Sequence, residues 1–147
     1  MNLPLLLAHA ASTVFMTGLI WFVQIVHYPL AAQVGEGAFI AYQEAHMSRT
    51  SWVVGPPMLI EAATTTLLLV QPPSGIPQWA PWLGAVLLAT VWASTAFLQV
   101  PLHGALTGGL DVDRVGRLVA TNWIRTIGWS LRATLAVALI FWAWSAR

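Results

Sequence analysis

Two long uncharged stretches constrain the fold of this chain more than any other feature of its sequence. No Asp, Glu, Lys or Arg occurs in residues 1–35 or in residues 62–110. A helix needs about 20 apolar residues to cross the hydrocarbon core of a bilayer. Only 7 % of the 147 residues are charged, whereas a soluble domain carries about a quarter. The composition therefore excludes a soluble enzyme, a nucleic-acid-binding protein and a disordered tail, and it predicts an integral membrane protein in contact with the lipid bilayer.

The apolar pattern predicts four transmembrane helices. Its apolar runs are continuous rather than alternating, which disfavours a β-barrel. The expected spans are residues 3–30, 50–70, 79–102 and 118–144. Helical patterns that precede the second and fourth spans indicate that these helices begin near residues 36 and 112, with Asp111 as a helix N-cap. We expect an all-α fold, a four-helix bundle that forms one transmembrane domain over residues 1–147.

The two halves of the chain resemble each other when one is shifted by 76 residues. The coinciding pairs are His27 with His103, His46 with Asn122, Arg49 with Arg125, and Thr50 with Thr126. This pattern predicts two tandem helical-hairpin repeats, residues 3–72 and 78–146, with a pseudo-two-fold axis along the membrane normal. Four of the six Arg residues fall on the side of the two long connections. The positive-inside rule then places both termini outside, in a bacterial inner membrane.

Three histidines are the candidate metal ligands. Hairpin geometry places His27, His46 and His103 in one polar layer near the cytoplasmic mouth of the bundle, with Gln24 at the level of His46. Imidazole is a ligand for iron, copper and zinc. The sequence therefore leaves three alternatives: haem b held by His27 and His103, a non-haem iron or copper site that also uses His46, or no cofactor, with the histidines as acid/base groups.

The other ionisable residues inside helices are candidate catalytic groups, because such residues are costly in a bilayer. Arg49 and Arg125 would stabilise an oxyanion or a quinone carbonyl, and Glu61 and His9 would move protons. Structural alternatives are an anchoring role for the two arginines and an ion pair of Glu61 with His9 or Arg132. Candidate substrate-binding residues are Gln24, Gln99, Asn122, Trp21 and Arg132. Pro56-Pro57 should kink the second helix and open a pocket beside it.

Two segments of the second half resemble a known family. VPLHGAL (residues 100–106) and NWIRTIGWSLR (residues 122–132) are similar to segments of the anthrone-oxygenase-like family of small four-span membrane proteins. Asn122, Arg125 and Thr126 match the element that opens the fourth span in that family, whereas His103 stands where an Asn is common. The resemblance implies oxidation or oxygenation of a lipophilic, often polycyclic or quinone-like compound.

These observations lead to one leading hypothesis and two alternatives. The leading hypothesis is a membrane-embedded oxidoreductase or oxygenase whose lipophilic small-molecule substrate enters between helices. The first alternative is a small transporter or channel that uses Glu61 and Arg132 and that forms a homodimer to enclose a path. The second is a non-catalytic subunit that anchors a larger complex, in which the polar layer only joins helices.

Overall fold

A computed structural model describes residues 3–146 as four long helices joined by short connections. The helices are α1 (Leu3–Ala31), α2 (Glu36–Val70), α3 (Trp79–Gly108) and α4 (Val112–Ser145). Each is long and apolar enough to cross a bilayer. No strand occurs in the part of the chain that the structure describes, so the predicted all-helical bundle of four helices that could span a membrane is confirmed.

Helices α2 and α4 begin ahead of their apolar spans, as the sequence predicts. The first residue of α2 is Glu36 and that of α4 is Val112. Asp111 is the N-cap of α4, since its side chain accepts a hydrogen bond of 2.9 Å from the backbone N–H of Arg114. The Arg114 side chain returns to the Asp111 carboxylate at 3.1 Å and also donates to the carbonyl of Ala105. These contacts fix the turn between α3 and α4.

Helices α1 and α3 each contain a five-residue π-helical turn directly before an X-Pro sequence. The turns are Val23–His27, followed by Tyr28-Pro29, and Thr95–Gln99, followed by Val100-Pro101. Proline has no N–H to donate, and a wider turn accommodates the missing helical bond. The extra residue changes which side chains of α1 and α3 face the neighbouring helices.

The four helices pack as a ring in chain order, and α4 closes the ring against α1. Helix α4 has the most extensive contacts, with α1 and α3, and the contact between α2 and α3 is the least extensive. Three apolar clusters follow the bundle axis: one around Leu6 and Leu139, one around Ile20 and Trp129, and one around Phe39. Large apolar side chains cover the outside, such as Trp52, which is 80 % exposed. This arrangement is typical of a bundle surrounded by lipid.

Helix α2 continues without interruption through Pro56-Pro57. The two prolines remove the N–H groups that would otherwise bond to the carbonyls of Trp52 and Val53. A groove of about 380 Å³ lies beside the prolines, between α1 and α2, at the position where the sequence predicts a pocket.

Candidate functional site

The three predicted metal ligands lie together near the end of the bundle where α1 connects to α2. Nε2 of His27 is 2.8 Å from Nδ1 of His46, and the two rings are stacked with centroids 4.5 Å apart. The ring of His46 is also 5.0 Å from that of His103. His46 and His27 are therefore level with each other. The expected pairing of His46 with Gln24 is wrong, because the π-helical turn shifts the residues of α1 that face α2.

His103 is held by two residues that were not among the candidates, Tyr28 and Gln43. The Gln43 amide donates to Nδ1 of His103 at 2.9 Å and to its carbonyl at 3.1 Å. With Nδ1 as an acceptor, the neutral imidazole carries its proton on Nε2. This proton is donated to the Tyr28 hydroxyl, 2.8 Å away. The Tyr28 O–H is then free to donate to another group. The sequence signal for Gln43 was its position one helical turn before His46.

The histidine cluster does not form a ready metal site. Among residues 3–146, no group of three His, Asp or Glu side chains is placed to hold a metal ion. A bis-histidine haem would need its plane between His27 and His103, and the ring of His46 contacts both of these rings. Both nitrogens of His103 also have hydrogen-bond partners. Bound haem, iron or copper stays a prediction from the sequence.

Two cavities meet at the histidine cluster. One, of about 190 Å³, lies between α1 and α2, and the other, of about 150 Å³, lies between α2 and α3. The residues that line both come from three helices: Tyr28, His46, Thr50, Val54 and Arg125. Thr50 is 3.1 Å from Nδ1 of His46. The lining of the first cavity is otherwise mostly apolar, and includes Met16 and Ile20. This mixture suits a lipophilic molecule with one polar group.

Arg125 is the charged group that the two cavities share. Its guanidinium lies 5.5 Å from the centroid of the Trp129 ring and interacts with the Tyr28 hydroxyl. Its Nε atom is buried and has no hydrogen-bond partner among residues 3–146. Arg49 is exposed and lines the first cavity, and no acidic residue lines either one. The site is therefore positively charged, which favours an oxyanion or a carbonyl oxygen.

The predicted substrate-binding amides mainly connect helices. The Asn122 amide donates to Oε1 of Gln24 at 2.8 Å, and the Gln24 amide donates to the Val119 carbonyl at 3.1 Å. Gln99 lines the second cavity and donates to Thr121 on α4. Trp21 lines neither of the two cavities. Its indole N–H donates to the Ser130 hydroxyl, where α1 contacts α4.

A second polar cluster lies deeper in the bundle around Glu61, which is fully buried. One carboxylate oxygen accepts a hydrogen bond of 3.3 Å from Arg132, and the other accepts one of 2.9 Å from the Trp129 indole. Arg132 also donates to Thr65 and to the carbonyl of Gly84. Both oxygens of Glu61 thus have partners on α4. His9 is adjacent, with its Nδ1 3.0 Å from the hydroxyl of Thr64.

No family model matches the chain, and no curated protein or solved structure matches it either. The functional inference therefore rests on the contacts of Arg125, Tyr28 and the three histidines.

Proposed function

We propose that this protein is a membrane-embedded oxidoreductase or oxygenase that acts on a small lipophilic compound with a carbonyl or phenolic oxygen. The observation that carries the proposal is the position of Arg125 on a wall shared by two largely apolar cavities, neither of which is lined by an acidic residue of the described chain. A cation in a low-dielectric site stabilises charge that develops on a bound oxygen more strongly than it would in water.

The neighbouring side chains have the chemistry that such a substrate needs. His46 lines both cavities and is the candidate general base for an acidic C–H or O–H group. The oxygen of the resulting anion would lie against Arg125, where the Tyr28 O–H can also donate to it. The proton that leaves the substrate would move to the imidazole of His46, which is hydrogen-bonded to His27.

An anion of this kind is electron-rich and is suited to oxidation by dioxygen. For a substrate with an activated methylene group, one dioxygen molecule would convert CH2 into C=O. One oxygen atom enters the product, and the other leaves as water with the two hydrogen atoms. A metal held by His27, His46 and His103 remains a separate proposal, in which the metal would supply the redox chemistry. Of these three, His103 would first have to release Tyr28 or Gln43.

Dioxygen uptake by the detergent-purified protein tests this function. An anthrone and a hydroquinone serve as substrates, and quinone formation is followed by absorbance. We expect Arg125→Gln to lower kcat/KM by about 100-fold or more, and Arg117→Gln, at an exposed position on the same helix, to leave it unchanged. Elemental analysis of the same sample separates the metal-assisted version from the metal-free one. The proposal fails if the wild-type protein neither binds nor turns over such compounds, or if Arg125→Gln has full activity.

The contacts of Glu61 favour this function over transport through the bundle. Both carboxylate oxygens are bonded to Arg132 or Trp129, so we assign Glu61 and Arg132 a structural role. Transport through the bundle would require the ion pair of Glu61 and Arg132 to open. A homodimer is proposed only as part of this transport alternative.

We further propose the orientation and the internal duplication of the chain. A π-helical turn directly before an X-Pro sequence occurs in both α1 and α3, which supports two tandem hairpins of similar build. The turns begin at residues 23 and 95, so they are four residues out of register with the 76-residue shift that pairs His27 with His103. The arginine-rich connections support a cytoplasmic location for the histidine end and an outer location for both termini, in a bacterial inner membrane.

A further inference from the structure

We propose that the ligand of the Arg125 site carries a long apolar chain, which lies in the groove between α1 and α2. This inference rests on the proposed function, and it narrows the substrate class from compact polycyclic compounds to amphiphiles with an oxygen-bearing head and a linear tail. The occupant of the groove is the tail of the substrate itself.

The groove beside Pro56-Pro57 adjoins the cavity at Arg125. Val53 lines both of them, and Phe15 of the groove directly precedes Met16 of the cavity on α1. The other residues that line the groove are small or apolar: Ala8, Ala11, Ser12, Phe15, Pro56, Pro57 and Ile60. Because Ala8 and Ala11 have short side chains, the surface of α1 is recessed at this point, and Phe15 and Ile60 form part of the walls.

The combined length of the cavity and the groove suits a long chain. On α1 the lining residues extend from His27 in the cavity to Ala8 in the groove. At a rise of 1.5 Å per residue these 19 steps cover about 28 Å, close to the roughly 30 Å thickness of the hydrocarbon core. A compact ring system at Arg125 would leave most of this length unused.

The polarity of the lining changes from one end to the other. The end at the histidine cluster contains Arg49 and Arg125 without an acidic residue. Among the described residues that line the groove, Ser12 alone has a polar side chain, and its hydroxyl already donates to the carbonyls of Ala8 and His9. An amphiphile would therefore lie with its oxygen-bearing head at Arg125 and its tail in the groove.

The groove on the opposite face of α2 provides a comparison. It lies between α2 and α3, has a volume of about 240 Å³, and includes Ala62 and Ala89. None of its lining residues belongs to the cavities at Arg125. A tail attached to a head at Arg125 thus has an adjoining groove along α1 and α2. The groove of Ala89 does not adjoin the site in this way and is a suitable place for a control variant.

A chain-length series tests the inference. The probes are alkyl hydroquinones with the same head and a methyl, hexyl or dodecyl substituent, and the measurement is the Kd by calorimetry in one detergent. We expect the dodecyl compound to bind the wild-type protein at least about tenfold more tightly than the methyl compound. Ala11→Phe, which fills the groove, should remove this gain and leave the Kd of the methyl compound unchanged. Ala8→Leu should reduce the gain in the same way, and Ala89→Phe should retain it.

The outcomes separate this inference from the proposed function. If the methyl compound binds and the gain with chain length is the same in the wild-type protein and in both groove variants, the tail does not lie in this groove. If no compound of the series binds, the site at Arg125 does not bind the oxygen-bearing head, and the proposed function is wrong. The series is repeated with the wild-type and Ala11→Phe proteins in phospholipid nanodiscs. Loss of the difference between the two proteins there would show that bulk lipid fills the groove, which overturns the inference.

Discussion

Arg125 and Trp129 lie one turn apart on α4, with the guanidinium carbon of Arg125 5.5 Å from the centroid of the Trp129 ring. The indole N–H of the same tryptophan donates to Glu61 at 2.9 Å. Trp129 is completely buried. It therefore connects the candidate site to the ion pair of Glu61 and Arg132 and fixes the position of the cation that the proposed substrate would meet.

Replacing Trp129 separates its two contacts. Trp129→Phe keeps an aromatic face under Arg125 and removes the hydrogen bond to Glu61, which leaves a buried carboxylate oxygen without its donor. We expect a loss of about 1–3 kcal/mol of stability, measured by unfolding in detergent, with little change in the Kd of a hydroquinone. Trp129→Leu should weaken hydroquinone binding as well, since the cation–π contact, worth about 0.5–2 kcal/mol, is also lost. Equal binding by the two variants would show that the ring does not position Arg125.

Removing the charge of Glu61 should destabilise the bundle strongly. Glu61→Gln leaves the buried guanidinium of Arg132 without its counter-ion, and breaking a buried pair in this way costs about 3–5 kcal/mol. Glu36→Gln, at the exposed start of α2, is the control and should be nearly neutral. A Glu61→Gln protein of wild-type stability that has lost substrate flux in proteoliposomes would instead support the transport alternative.

The number of spans and the starts of α2 and α4 could be predicted because they depend on local signals. Uncharged stretches reveal helices that lipid can surround, and the Asp111 cap is a short-range pattern. The three histidines could also be placed near one another, since hairpin geometry fixes depth along a helix to within about a turn. These predictions needed no knowledge of how side chains pack between helices.

The rotation of each helix about its axis could not be predicted in the same way. The π-helical turn at Val23–His27 adds a residue to one turn, so that His27 meets α2 and Gln24 meets α4. For the same reason the sequence does not single out Tyr28, although it directly follows His27. Nothing in the sequence distinguishes Trp129 from the other tryptophans of the apolar helices; its contacts with Glu61 and Arg125 do.

The two buried glutamines of α1 and α3 should respond differently to removal of their amides. Gln24 accepts from Asn122 and Thr126 and donates to the Val119 carbonyl, whereas Gln99 donates only to Thr121 among the described residues and its Oε1 is buried without a donor. Interhelical hydrogen bonds in membranes average about 0.6 kcal/mol each. We expect Gln24→Leu to cost about 1–2 kcal/mol and Gln99→Leu to be nearly neutral in unfolding measurements. The reverse order would contradict these assignments.

Two glycines of α4 provide a direct measure of the close contact between α3 and α4. A Cβ atom at Gly128 would lie 2.6 Å from Cγ2 of Val91, which is completely buried, whereas a Cβ atom at Gly116 would meet nothing within 4 Å. Gly128→Ala should therefore cost about 1–3 kcal/mol through overpacking. Gly116→Ala should stabilise the helix by about 0.5–1 kcal/mol, because alanine loses less backbone entropy. Adding Val91→Ala to Gly128→Ala removes the clashing methyl group and should restore part of the lost stability. If this second substitution only adds to the loss, the penalty at Gly128 does not come from its contact with Val91.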